Sequence, residues 1–159
     1  MPAESTSTYR FGDLLALTRQ SWVGQMSGRL QRLGYADYRR SDAAALRTLL
    51  RGPLPVGRLG TVLSVTRQAA RKVADGLEQR GFATTERDSR DTRQLNVTLT
   101  PAGQDYASAI TAVIEELNRE VARRVNPAQL AAADAVLRAA LFDDSARQRA
   151  GRLPPPRWE

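Results

Sequence analysis

Apolar residues recur at threes and fours near the start of the chain. Phe11, Leu14, Leu15, Trp22, Met26, Leu30 and Leu33 predict one long amphipathic helix over 11–33, ended by Gly34. Ser41 reads as the N-cap of a second helix carrying Ala45, Leu46, Leu49 and Leu50, which stops at Arg51-Gly52-Pro53. A short third helix runs from about Pro55 to Val62. It contains Gly57 and Gly60, each unfavourable by roughly 1 kcal/mol relative to alanine. Ser64-Val65-Thr66 then breaks the chain. Thr66 caps a fourth helix with Ala69, Ala70, Val73, Ala74 and Leu77 at helical spacing, ended by Arg80-Gly81.

The period then changes to two. Leu95, Val97 and Leu99 alternate with Asn96, Thr98 and Thr100, the pattern of a half-buried strand, and Phe82 to Arg87 can pair with it across a polar tip at 88–93. Pro101 restarts helix with Tyr106, Ile110, Val113, Ile114, Leu117, Val121 and Val125. Asn126-Pro127 supplies a cap and a first-turn proline for a last helix carrying Leu130, Ala133, Val136, Leu137, Ala140, Leu141 and Phe142. The expected organisation is a flexible N-terminus (1–10), a long first helix (11–34), a central lobe (35–100), two C-terminal helices (101–142) and a polar, flexible tail (143–159) that includes Pro154-Pro155-Pro156.

Composition narrows the chemistry. The 159 residues contain neither cysteine nor histidine, which removes disulfides, thiol chemistry, the commonest metal ligands and the commonest general base. There is no phosphate-binding glycine loop and no clustered metal-spaced carboxylates, so the expectation is no enzyme, no metal and no cofactor. No apolar run approaches the roughly 18 residues of a membrane span, so a cytoplasmic protein without a membrane partner is expected. The net charge of +7 is unevenly spread. From Gly28 to Lys72 ten basic residues stand against two acids, a local net of +8, while from Pro101 to Ser145 four arginines stand against seven acids. A basic body of this kind points to a polyanion, and double-stranded DNA is the expected partner.

Three short helices followed by a hairpin is the order of a winged helix-turn-helix, in which one helix enters the major groove and the hairpin tip reaches the neighbouring backbone or minor groove. The fourth helix opens Thr66-Arg67-Gln68-Ala69-Ala70-Arg71-Lys72. Glutamine can pair with adenine and arginine with guanine in bidentate fashion, while Thr66 and the helix N-terminus suit a phosphate. The apolar stripes of the long terminal helices exceed what one small lobe can cover, so burial against a second copy is expected.

The segment from Leu54 to Gly81, the tip Asp88-x-Arg90-Asp91-x-Arg93 and the run Leu99-Thr-Pro-Ala-Gly103 resemble the helix-turn-helix, the wing motif and the return strand of MarR-type transcriptional regulators. The resemblance extends over about Phe11 to Leu141. It implies a mainly α fold with a small β-hairpin wing and long N- and C-terminal dimerisation helices. It implies a homodimeric, sequence-specific regulator, most often a repressor, on a pseudo-palindromic operator. Thr66, Arg67, Gln68, Arg71 and Lys72 then stand at the major groove, and Arg93 and Arg90 at the minor groove. Asp88 and Asp91 stand where they would brace the loop's arginines. A small aromatic or anionic effector is implied near Trp22, Met26, Tyr35, Tyr38 and Arg39. Glu86 departs from the family's more usual basic residue, as Gly57 and Gly60 do from better helix formers. A non-sequence-specific architectural DNA binder is the competing function.

Overall fold

Helix ends follow local capping chemistry. A computed structural model describes residues 10–89, 91 and 93–151, which form two compact units, one up to Tyr38 and one from Arg39 onward. In the first, α1 (Phe11–Arg32) ends in a left-handed Gly34 at φ +93°. The Tyr35 N–H donates to the Leu30 carbonyl at 2.9 Å and that of Gly34 to Gln31 at 3.0 Å, which together satisfy two of the last carbonyls. Met26 and Leu30 are buried, whereas Leu14, Leu15 and Leu17 are exposed.

The second unit contains α2 (Arg40–Leu49), β1 (Leu54–Pro55), α3 (Val56–Leu63), α4 (Arg67–Gln79), β2 (Ala83–Arg87), β3 (Leu95–Leu99), α5 (Pro101–Ala122), α6 (Pro127–Ala139) and α7 (Asp144–Gly151). The strands form an antiparallel sheet in the order β1-β3-β2, with Ala83 opposite Leu99, Thr85 opposite Val97 and Leu54 opposite Val97 from the other side. Leu46, Leu59, Leu77, Val97, Tyr106 and Ile110 lie at the centre of the core, where α2 packs on α5 and α3 on α4. The mainly helical winged architecture expected from the sequence is present.

Four local expectations change. Ser41 is not the cap of α2: Arg39 holds that position without a side-chain cap bond, and the Ser41 hydroxyl donates to Asp42. β1 was not legible, because a Leu-Pro pair has no alternation and becomes a strand only against the free edge of β3. Part of the expected flexible tail is helical: Asp143 accepts the Ala146 N–H at 2.7 Å and the Ser145 hydroxyl at 2.6 Å, and Asp144 pairs with Arg147 along α7. These two donors, the hydroxyl first, hold the Asp143 carboxyl below its ordinary pKa. Finally, Gly60 is not a weak point in α3. A Cβ there would lie 3.2 Å from the Val65 carbonyl and 3.4 Å from the Ala70 Cβ, so glycine permits the close crossing of α3 and α4.

One buried polar contact ties the lobe together. Asp42 on α2, 2% exposed, lies 2.7 Å from Nη1 of Arg80 just beyond α4. Arg80 Nε donates to the Gly76 carbonyl at 2.8 Å, and its guanidinium sits 5.6 Å from the Phe82 ring centre. Phe82 packs at 4.7 Å on Tyr106 of α5. Its carbonyl accepts the Thr100 N–H and faces Gly103 so closely that any Cβ at 103 would overlap it. This accounts physically for the Leu-Thr-Pro-x-Gly run. Thr100 caps α5 by accepting the Gly103 N–H and donates its own hydroxyl to Gly81 at 2.6 Å.

Asp42→Ala, which leaves a largely buried guanidinium without its carboxylate, is expected to lower unfolding free energy by about 3 kcal/mol in urea titrations. Gly103→Ala should destabilise by about 2 kcal/mol through overpacking, whereas Gly57→Ala, with open space at its Cβ, should be neutral or stabilising by about 0.5 kcal/mol.

Candidate nucleic-acid interface

The two faces of α4 carry different chemistry. Ala70, Ala74 and Leu77 are buried, while Arg67, Gln68, Arg71 and Lys72 are exposed on the opposite side, one helical turn linking 67 to 71 and 68 to 72. Thr66 is exposed and caps the helix, accepting the Ala69 N–H at 3.1 Å. The remaining free N–H groups and the positive end of the helix dipole point out of the same end, where an anion is stabilised. Five of the residues read from the sequence as DNA-contacting are thereby brought onto one surface. The structure divides the three cations by environment. Arg67 Nη2 donates to the Arg93 carbonyl at 3.3 Å, Arg71 Nε lies 2.7 Å from Asp75, and Lys72 has no ion pair among the described residues.

The wing is held at both ends. At its base, Glu78 on α4 accepts the Thr85 N–H at 2.9 Å and the Thr85 hydroxyl at 2.9 and 3.0 Å, fastening β2 to the helix. At its tip, Arg67 reaches Arg93. The turn between is built from carboxylates: Asp88 accepts the Asp91 N–H at 3.0 Å and the Asn96 amide at 2.9 Å. Asp91 accepts the Arg93 N–H and the Gln94 amide, each at 3.1 Å. Bracing by these two residues was expected to act on guanidinium groups. For Asp91 it acts instead on a backbone N–H and an amide, because a tight turn leaves amides within reach of a short carboxylate. Arg93 is exposed, and Arg90 lies outside the described residues. Glu86 is exposed on β2 opposite Asn96.

Between the start of α3, the first turn of α4 and the wing lies an open groove of about 430 Å³, lined by Val56, Gly57, Arg58, Arg67, Gln94 and Leu95 among others. Arg58 is exposed there and adds a further cation beside α4. Among the residues expected near an effector, Trp22, Tyr35 and Tyr38 are half-buried and Met26 is buried, all in the first unit. Arg39 belongs to the second unit, is exposed, and extends its guanidinium along α4 beside Gly76.

Sequence reading did not single out Asp42, Asp75, Glu78 or Arg80. The Arg80-Gly81 pair was read as the end of the fourth helix. The partners of these four residues are in other elements, or, for Asp75, one turn away on a helix where the acid looked like ordinary solvated charge. No described helix is long and apolar enough to cross a membrane, and no described cluster of acidic side chains could hold a metal ion.

Residues 36–94, the segment from before α2 through the wing tip, match the model of the MarR family. No curated protein matches the chain significantly. Among solved structures, a probable transcriptional regulator from Pseudomonas aeruginosa is similar at 24% identity, covering 83% of this chain and 97% of its own, with a TM-score of 0.68. S. aureus MepR in complex with DNA matches at 18% identity, 84% and 97% coverage and a TM-score of 0.71. BpsR of Bordetella bronchiseptica, whose DNA binding is regulated by 6-hydroxynicotinic acid, matches at 21% identity, 87% and 97% coverage and a TM-score of 0.67. The match to the MarR family model lies on the lobe that carries α4 and the wing, and the fold shared with these solved structures extends well beyond it: residues 36–94 are similar to the MarR family, and the chain has a winged-helix fold.

Proposed function

We propose that the protein acts in the cytoplasm as a homodimeric repressor on a pseudo-palindromic operator with half-sites about one helical turn apart. The observation that carries this reading is the exposed face of α4. It places glutamine, arginine and lysine side chains beside a wing tip that is tied to the same helix through Arg67 and Arg93. Gln68 and Arg71 serve base readout, Thr66 and Lys72 hold phosphates, and Arg93, with Arg90, serves the minor groove. Mixed amide, hydroxyl and guanidinium groups on one face favour reading over plain charge attraction. A homodimer is supported by large apolar side chains left uncovered in both units: Leu14 and Leu17 on α1, Val136 and Leu137 on α6, and Phe142, which is 85% exposed. A small aromatic or anionic effector that releases the DNA is supported by the ligand regulation of BpsR, a protein of the same fold.

Selection of duplexes from a randomised library, followed by mobility shifts with scrambled duplex as competitor, tests the reading. Enrichment of an inverted repeat is the expected outcome. Equal binding of every duplex would instead make the protein an architectural DNA binder. Lys72→Ala should weaken selected and scrambled duplexes by the same factor and reduce the slope of log affinity against log salt by about one. Arg93→Ala should reduce affinity for the selected duplex by about tenfold or more while leaving the circular dichroism spectrum unchanged. Placing glutamate at both Leu137 and Phe142 should halve the mass measured by light scattering and lower operator affinity with it.

A further inference from the structure

The acid in the middle of α4's exposed face has no explanation in helix stability. Asp75 follows Arg71 by four residues, and in this order, base before acid, an i,i+4 pair works against the helix dipole and adds little. In α6 and α7 the corresponding pairs, Asp134 with Arg138 and Asp144 with Arg147, run acid first. The Arg71 and Asp75 side chains are 46% and 38% exposed, so the pair is weakened by solvent as well. Asp75 also stands one turn beyond Arg71 and Lys72, where a negative charge opposes a phosphate backbone.

What the carboxylate does is geometric. It lies 2.7 Å from Arg71 Nε, at the inner edge of the guanidinium. That leaves the outer edge, the Nη1 and Nη2 pair with its two parallel N–H donors, unengaged among the described residues on a half-exposed side chain. Two parallel donors match the O6 and N7 acceptors that guanine presents in the major groove. A free arginine would have to order its long side chain on binding, whereas one held at Nε has lost part of that freedom already. Arg71 is the arginine of this face that can be used so, since Arg67 turns its guanidinium to the wing.

We propose that Asp75 is a specificity-determining positioning residue, which holds Arg71 by its Nε so that the outer edge of the guanidinium reads a guanine. The inference rests on the DNA-reading role given above to α4. Removing Asp75 then has two opposite effects: it takes a repelling charge away from every duplex, and it frees Arg71 from the orientation that one duplex requires.

The experiment compares wild type, Asp75→Ala and Asp75→Asn on the duplex selected by the wild-type protein and on a scrambled duplex. It repeats the comparison with single guanines of the selected duplex replaced by 7-deazaguanine, which lacks the N7 acceptor. Asp75→Ala is expected to bind scrambled duplex as well as or better than wild type, yet to lose about tenfold in the ratio of selected to scrambled affinity. One 7-deazaguanine position should weaken wild type and leave Asp75→Ala unaffected. Asp75→Asn, which keeps the side chain's shape but removes the charge that pairs with Arg71, should lose the ratio much as Asp75→Ala does. Asp75 is only half-buried, its side chain 38% exposed, and alanine favours helix, so the fold is retained, which circular dichroism checks. Equal shifts of Asp75→Ala on both duplexes would overturn the proposal and reduce Asp75 to a charge, as would a 7-deazaguanine penalty unchanged in the variant. A wild-type protein that selects no sequence would overturn the DNA-reading role first and this proposal with it.

Discussion

The exposed face of α4 depends on a carboxylate that never reaches it. Asp42, buried on α2, is 2.7 Å from Arg80 at the end of α4, and Arg80 in turn holds the last turn of its helix through the Gly76 carbonyl and covers the Phe82 ring. Phe82 opens the wing and rests on Tyr106, and its carbonyl takes the Thr100 N–H next to the glycine at 103. Four elements therefore meet at one ion pair and one ring: α2, α4, the root of the wing and α5. A buried pair of this kind contributes little net energy compared with an apolar substitute, but breaking it leaves a charge without compensation. Its value is in fixing the axial position and rotation of α4, which decide which residues of that helix face outward.

From that anchor the outward face is organised by shorter contacts. Glu78 fastens the base of the wing and Arg67 its tip, so the hairpin and α4 present themselves as one piece. The acids at 88 and 91 stiffen the turn by collecting backbone amides and side-chain amides. Polar groups that looked interchangeable as charge thus have separate places: some build the platform, and others are left on the exposed face of α4.

Much of this was legible from the chain alone. The caps at Thr66 and Asn126 follow from residue type and spacing, because an N-cap bond spans three residues and needs nothing distant, whereas Thr100, read only as part of the strand, proves to cap α5. The hairpin followed from alternation in Leu95 to Thr100, and the exposed face of α4 followed from the spacing of its alanines and Leu77. What was misread had a common cause. Ser41 had the right chemistry for a cap and the wrong place in the chain path. Gly60 looked like weakness until the backbone of the turn before α4 and the Ala70 Cβ were seen against it. α7 lacks an apolar stripe and is held by local polar bonds.

The sequence by itself determined the order of the main elements, the caps of α4 and α6, the two faces of α4 and the winged helix-turn-helix class, since these arise from interactions among residues a few positions apart. Only the tertiary structure decided which charged groups are structural. Asp42 and Arg80 are distant in the chain, as are Arg67 and Arg93, and a sequence carries no signal for a pair until the fold closes the distance between them. Burial removes water from one pair and leaves it around another, and that difference separates an anchor from a contact surface.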